Sequence, residues 1–276
     1  MKLFGMTTFM TENFDMIIDL AGKNALVGAA SDGIGKAVAL QFAELGAEVT
    51  IVSRNENKLK NVLKQLDSSK GQNHRYLVTD YMDFEGTKKV YDDYFKLNSI
   101  DILVNNTNGP KTGNSLQNST EDFQQAFDLL FQNTVYLTQA ALPEMQKNKF
   151  GRIINVASKY VKQPSDHLVL SNTMRIAVVS WMKTLSKMVA EENITVNTVL
   201  TGLFDTERMK SLYTGNAETL NISTEEAKKR MLGQTPMKRA GKPEEYGYLA
   251  AFLASDLAGY LTGATIPLDG GHSDFI

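Results

Sequence analysis

The chain has 276 residues, enough for one large α/β domain or two small ones with a sizeable core. Its 42% hydrophobic content excludes disorder as the main state, and its net charge of −2 provides no field that would attract nucleic acid or an anionic membrane. With no cysteine and three scattered histidines, the sequence excludes disulfides, a thiolate metal site and a cysteine nucleophile, and favours a cytoplasmic protein.

The first 19 residues lack the regular pattern of the rest. They contain no continuous apolar run of the kind a signal peptide needs, so residues 1–19 are predicted to form a flexible extension. No stretch in the chain approaches the roughly 18 apolar residues of a membrane span. Residues 20–276 are predicted to form a single domain that does not enter a membrane.

From Lys23 onward, short runs rich in β-branched residues alternate with longer segments of helical period. This alternation predicts βαβ units and a Rossmann-type, doubly wound parallel sheet of about seven strands. The predicted strands are Ala25–Gly28, Val49–Ser53, Arg75–Thr79, Ile100–Asn105, Arg152–Ala157, Thr195–Leu200 and Ala264–Leu268.

Two long helices are predicted in the second half of the chain, Thr120–Lys147 and Leu168–Glu191. Residues 206–239 then interrupt the α/β rhythm with short helical pieces, one of them opened by Ser223 and Glu226 at capping-box spacing. Because insertions of this length often cover sites, we predict a lid over a substrate cleft, and the alternative is a surface excursion without a role.

A glycine-rich turn follows the first predicted strand and precedes an amphipathic helix. Helix amides without partners and the positive end of the helix dipole favour a pyrophosphate there. A P-loop NTPase is excluded because Ile34 and Gly35 stand where Lys and Ser/Thr would have to reach phosphate and magnesium. The predicted nucleotide-binding residues of the turn are Gly28, Ser31, Asp32, Gly33, Ile34 and Gly35.

The second strand ends in Ser53 and Arg54, where NAD sites usually carry an acidic residue for the ribose hydroxyls. Serine and arginine suit a 2′-phosphate instead, because the guanidinium offers a planar fork of donors. The sequence therefore favours NADP over NAD. Asp32 is an opposing signal because it would repel a nearby phosphate.

Over residues 20–272 the sequence strongly resembles the short-chain dehydrogenase/reductase family, and within it the 3-oxoacyl-(acyl carrier protein) reductases. The resemblance implies that Asp80 lies at the adenine, that Asn105 stabilises the central strand, that Thr206 contacts the nicotinamide carboxamide and that Ile194 lines the nicotinamide pocket. It rests on ordered motifs: 28–35, Asp80, 103–110, Asn133, 151–158, 194–197 and 261–271.

The chain departs from the family pattern in the nucleotide site. Ala29 stands where the family has the first glycine of the phosphate loop, which adds a methyl group where the backbone approaches phosphate. Thr107 and Asn108 replace the alanine and glycine that follow the paired asparagines, which adds bulk near the adenine ribose.

The larger departure is catalytic. The family uses an asparagine, a serine, a tyrosine and a lysine, and the resemblance places Asn133 and Ser158 in the first two roles. Thirteen residues beyond Ser158, the tyrosine position holds Ser171, and four residues further the lysine position holds Arg175. Half of the tetrad is therefore replaced.

Ser171 cannot replace a tyrosine as an acid, because an aliphatic hydroxyl titrates far above the phenol value of about 10 and arginine does not deprotonate. Its oxygen would also lie on the order of 4 Å nearer the helix than a tyrosine oxygen, a gap that fits one water. A water relay through Ser171 and Arg175 is one alternative. Proton donation by Tyr160, Lys159 or His167 is a second, and a site with little chemistry beyond electrostatic stabilisation is the third.

These observations predict an NADP-dependent oxidoreductase that reduces a 3-oxoacyl-type carbonyl with atypical proton delivery. The main alternative is a non-catalytic NADP-binding or scaffolding protein on the same fold, and halohydrin dehalogenation is less favoured. A homotetramer is also implied by the resemblance, since the two long helices carry apolar residues on more than one face. These residues are Phe123, Phe127, Leu130, Val135, Leu137, Val178 and Trp181.

Overall fold

The computed structural model describes residues 17–275 and contains one seven-stranded, all-parallel sheet. The strand order is β3-β2-β1-β4-β5-β6-β7, so the order reverses between β1 and β4. This confirms the predicted doubly wound α/β fold. The strands are β1 Asn24–Val27, β2 Glu48–Ser53, β3 Arg75–Val78, β4 Ile102–Asn105, β5 Gly151–Ser158, β6 Ile194–Thr201 and β7 Thr265–Leu268.

Helices connect the strands and cover both faces of the sheet. All seven predicted strands are present, with ends that differ by one or two residues. The helices are α1 Gly33–Glu44, α2 Glu56–Leu63, α3 Phe84–Phe95, α4 Thr120–Ala126, α5 Asn133–Asn148, α6 Val169–Val189, α7 Glu207–Leu220, α8 Thr224–Gly233 and α9 Pro243–Ala254.

The long helix predicted over 120–147 is not uniform. A π-helical segment, Phe127–Gln132, joins α4 to α5, and α6 packs against it. One-turn π segments are uncommon and occur frequently at functional sites.

The core has two layers, one on each face of the sheet. On one face Phe42 of α1 and Tyr246 of α9 pack over the strands, and on the other Met145 of α5 and Met182 of α6 do so. Each such side chain contributes roughly 1.5–3 kcal/mol when fully buried. The two layers fix the strands so that their carboxyl ends form one rigid edge.

The domain begins slightly earlier than predicted. Ile18 already packs against the core and Asp19 accepts a hydrogen bond from Ala21 N, so the boundary at residue 20 is two residues late. The rest of the predicted extension, residues 1–16, lies outside the described residues. In the range 17–275, no helix combines the length and the apolar character needed to cross a bilayer.

Candidate active site

The glycine turn lies at the switch point, where β1 has β2 on one side and β4 on the other. Open α/β sheets bind ligands in the crevice at this point. Gly28 N donates to Val104 O at 3.1 Å, and Ala30 N donates to Val52 O at 3.0 Å, which ties the turn to both neighbouring strands. A Cβ at Gly35 would lie 2.8 Å from Gly28 O, so the turn excludes a side chain there.

Ala29, the residue in place of a family glycine, has φ +45°. A residue with a Cβ pays about 1–2 kcal/mol in the left-handed region, which glycine enters freely. The departure predicted from the sequence is therefore also a point of backbone strain in the turn.

The residues predicted to bind a 2′-phosphate come together beyond the turn. Ser53 Oγ donates to Ser31 Oγ at 2.9 Å, and Arg54 is 62% exposed, with its Nη1 3.8 Å from Asp80 Oδ2. Such an exposed ion pair is weak, so Arg54 is available to a ligand.

Asp32 does not oppose an anion as strongly as the sequence suggests. It caps α1, accepting a hydrogen bond from Gly33 N at 2.7 Å, and its Oδ2 lies 3.6 Å from Lys58 Nζ. Sequence reasoning missed Lys58, although its place four residues after Arg54, in the first turn of α2, was a usable signal.

Two of the predicted catalytic residues, Ser171 and Arg175, hydrogen-bond to each other, and Arg175 also bonds to β5, the strand that Ser158 ends. Ser158 ends β5, and its Oγ accepts a hydrogen bond from Tyr160 N at 3.3 Å. Ser171 and Arg175 lie on one face of α6, and Arg175 Nε donates to Ser171 Oγ at 3.3 Å. Arg175 Nη1 also donates to Val156 O at 2.8 Å, which joins α6 to β5 two residues before Ser158.

Arg175 is a partly buried cation. Burial, together with the nearby charge of Arg208, lowers the pKa of Arg175 to about 10, so it stays protonated at neutral pH. A small cavity beside its guanidinium has polar groups on several sides. The cavity is lined by Asn105, Thr107, Leu130, Thr134, Asn155, Val156, Arg175 and Val178.

The Asn133 side chain does not hydrogen-bond to Ser171 or Arg175. Its Nδ2 donates to Tyr81 O at 2.8 Å and to Asp128 O at 2.7 Å, so its amide is held at the loop after β3. From this part of the chain, Leu130 and Thr134 line the cavity beside Arg175.

Ile194 is also placed away from the predicted pocket. It is the first residue of β6, 1% exposed, and it pairs with Gly151 at the amino end of β5. A strand of eight residues spans roughly 26 Å at about 3.3 Å per residue, so Ile194 packs in the core at the opposite edge from the site. It cannot line a nicotinamide pocket.

Asn105 ends a central strand, and Thr206 stands at the start of a helix. Asn105 ends the central strand β4 and donates to Thr138 Oγ1 at 2.9 Å. Thr206 caps α7 by accepting from Met209 N at 3.3 Å, and a Cβ at Gly33 would lie 2.9 Å from its Cγ2. The predicted lid, residues 206–239, contains the helices α7 and α8. Its first residue therefore contacts the glycine turn.

The alternative proton donors are differently placed. The His167 side chain is 79% exposed and lies 3.6 Å from Asp166. Lys159 is 3% exposed, with its Nζ 4.5 Å from the centroid of the Tyr160 ring, and burial lowers its pKa. Burial raises the pKa of Tyr160, which makes it a weaker acid than an ordinary phenol. Across residues 17–275, no three His, Asp or Glu side chains converge as metal ligands.

Comparisons with known proteins agree with this geometry. A family model described as enoyl-(acyl carrier protein) reductase matches residues 28–273. The 3-oxoacyl-(acyl-carrier-protein) reductase FabG of Aquifex aeolicus is 30% identical, over 93% of this chain and 99% of its own length. The NADPH-dependent reductase BacG of Bacillus subtilis is 32% identical, over 91% and 98%.

A solved structure gives the same result. The L-sorbose reductase of Gluconobacter frateurii, complexed with NADPH and L-sorbose, has a TM-score of 0.88 and 27% identity, covering 95% of this chain and all of that one. The sheet order, the glycine turn at its switch point and the matched length point to one family. The chain is a member of the short-chain dehydrogenase/reductase family of oxidoreductases.

Proposed function

We propose that this protein uses NADPH to reduce the carbonyl group of a 3-oxoacyl-type substrate and delivers the proton without a catalytic tyrosine. The observation that carries the proposal is the hydrogen-bonded pair of Ser171 and Arg175, which is bonded to β5 two residues before Ser158, at the edge of the sheet that also holds the glycine turn. FabG and BacG, whose names describe a 3-oxoacyl reductase and an NADPH-dependent reductase, support the reaction class.

The residues present fit NADPH. The side-chain-free backbone at Gly28 and Gly35 gives a pyrophosphate close access to the start of α1, and Ser31, Ser53 and Arg54 suit a 2′-phosphate. We assign Asp80 to the adenine, as the family pattern implies. Thr206, against Gly33, is assigned to the carboxamide.

When bound, NADPH supplies the hydride. The protein's own residues must stabilise the negative charge that develops on the carbonyl oxygen and supply a proton to it. We assign Ser158 as a hydrogen-bond donor to that oxygen and Arg175 as the cation that stabilises it and orients the ribose. Ser171 orients the proton-carrying water, for which the cavity beside Arg175 offers polar partners.

A second candidate is an NADP-binding protein that does little chemistry. The replacement of the family tyrosine and lysine by Ser171 and Arg175 favours it. Dehalogenation is less favoured, because relatives with that activity keep the tyrosine that Ser171 replaces here. Cytoplasmic location and a homotetramer remain part of the proposal.

Arg54 provides the direct test of cofactor choice. NADPH is expected to bind more tightly than NADH, and Arg54→Ala is expected to lose about tenfold or more in NADPH affinity, since a hydrogen bond to a charged group is lost. Fluorescence titration measures both. Arg230→Ala removes a similarly exposed cation, on α8, and should change neither affinity. Equal affinities for the two dinucleotides in the parent would contradict the assignment.

A further inference from the structure

Arg208 lies in the first turn of α7, two residues after Thr206, and reaches across to the loop that follows β4. Its guanidinium rests against Gly109, where a Cβ would lie 2.8 Å from Arg208 Cζ. The absence of a side chain at residue 109 therefore makes room for this arginine. Sequence reasoning gave Arg208 no role.

Within residues 17–275, neither Arg208 nor Arg175 has a carboxylate oxygen within 4.0 Å. The acidic residues flanking Arg208 act on another cation: Glu207 Oε1 lies 2.6 Å from Lys210 Nζ, and Glu207 and Asp205 both raise the pKa of Lys210. The flanking acids therefore leave the charge of Arg208 uncompensated.

The two arginines meet the same loop. Arg175 lines its cavity together with Thr107, two residues before the glycine that Arg208 covers. Burial lowers the pKa of Arg208 as well, although its side chain is exposed to solvent. A cation that has no carboxylate neighbour among residues 17–275 can pair with an anionic ligand instead.

The position of the pair indicates which anion. Arg54 and Asp80 follow β2 and β3, on the adenosine side of the switch point, and the glycine turn for the pyrophosphate follows β1. Arg208 contacts Gly109, which follows β4, and Arg175 donates to Val156 O in β5. Both contacts lie on the side of the switch point that holds Ser158. The pair therefore faces the end of the cleft where the carbonyl substrate reacts.

We propose that Arg208 binds a carboxylate carried by the carbonyl substrate. This rests on the proposed function and narrows it: the preferred substrates are 3-oxo acids with a free carboxylate rather than neutral esters or thioesters. Arg208 is then a specificity-determining residue contributed by the lid.

The experiment compares acetoacetate with ethyl acetoacetate, which carries the same ketone without the charge. We expect the parent to prefer acetoacetate in kcat/KM, and Arg208→Gln to lose about tenfold or more on acetoacetate and less than about threefold on the ester, as expected when a hydrogen bond to a charged group is removed. Lys210→Gln removes a cation from the same helix and should change neither value.

Gly109→Ala is a second variant, because its Cβ would displace the guanidinium while keeping the charge. It should reduce the preference for acetoacetate as Arg208→Gln does. Binding of malonate to the NADPH-loaded protein, measured by calorimetry, provides a readout without turnover, and Arg208→Gln should weaken it about tenfold or more.

These measurements distinguish failure of the proposed reduction from failure of the carboxylate site. If no carbonyl is reduced but malonate binds through Arg208, the proposed function fails and the anion site stands. If Arg208→Gln slows both substrates equally, or weakens NADPH instead of malonate, the arginine serves the nucleotide phosphate or the fold, and the carboxylate site is overturned. The same holds if the parent shows no preference for acetoacetate.

Discussion

Ala29 adds backbone strain to the nucleotide site, because it carries a side chain in a conformation that favours glycine. Its φ of +45° places a methyl-bearing residue in the left-handed region. We expect Ala29→Gly to raise the free energy of unfolding by up to about 1 kcal/mol, since relief of about 1–2 kcal/mol of strain exceeds the roughly 0.5–1 kcal/mol entropy cost of glycine. Urea unfolding measures the change.

Ala30 provides the matched control. It is fully buried and its φ is not positive, so Ala30→Gly gains nothing from glycine's freedom and should lower the free energy of unfolding by about 1 kcal/mol. Equal losses in the two variants would show that Ala29 is not strained.

The π-helical segment explains why the Asn133 side chain is held away from Ser171 and Arg175. In an α-helix each residue is rotated by about 100° about the helix axis from the residue before it. A π-helical stretch has wider turns, so it changes which side chains face α6. Leu130 and Thr134 line the cavity beside Arg175, while Asn133 is bonded to Tyr81 O and Asp128 O.

We therefore expect the Asn133 side chain to contribute to the free energy of unfolding rather than to the rate of hydride transfer. Asn133→Ala leaves the buried Tyr81 carbonyl without this donor, while the Asp128 carbonyl keeps the Asn133 backbone N–H. The substitution should cost about 1–3 kcal/mol, while the rate of hydride transfer in the folded variant changes by less than about threefold. Thermal unfolding and stopped-flow reduction measure the two effects. Asn148→Ala, at the exposed end of α5, should be nearly neutral. A stable Asn133→Ala variant without hydride transfer would restore the catalytic assignment.

The elements themselves were largely predictable from the sequence. Buried parallel strands read as continuous apolar runs, which explains why the five inner strands were predictable, whereas the edge strands β3 and β7 are only partly buried. Two features were not predictable. Six residues of π-helix cannot be distinguished from α-helix by apolar spacing, and the contact between Arg208 and Gly109 joins residues distant in sequence. The place of Ile194 was predictable, because ligands bind at the carboxyl ends of parallel strands and Ile194 precedes the amino end of the predicted strand.

At the scale of the whole molecule, the long helices still carry exposed apolar side chains. The core of the chain buries Leu130, Leu137 and Val178. By contrast, Phe127 is 37% exposed and Ile176 is 44% exposed. We expect a homotetramer at micromolar concentration by light scattering, and a smaller species for Phe127→Glu. Leu97→Glu, at an 89% exposed position after α3, is the control. A monomeric parent would contradict this.

The central claim is that Ser171 and Arg175 support reduction where the family uses tyrosine and lysine. Because the two residues form one hydrogen-bonded unit, their effects should be non-additive. Arg175→Ala should weaken both NADPH binding and hydride transfer, since it removes the cation. Ser171→Tyr with Arg175→Lys should raise the rate on the order of 100-fold only if the pocket accepts a ring.

The most direct measurement is single-turnover oxidation of NADPH by acetoacetate, an acetoacetyl thioester and a small diketone. We expect measurable reduction of at least one of these by the parent. In Ser171→Ala we expect slower hydride transfer with nearly unchanged NADPH affinity, because the lost hydroxyl orients the proton-carrying water while Arg175 keeps its hydrogen bond to Val156 O. No NADPH oxidation by the parent with any of the three carbonyls, and no change in Ser171→Ala, would contradict the enzyme assignment and favour a nucleotide-binding scaffold.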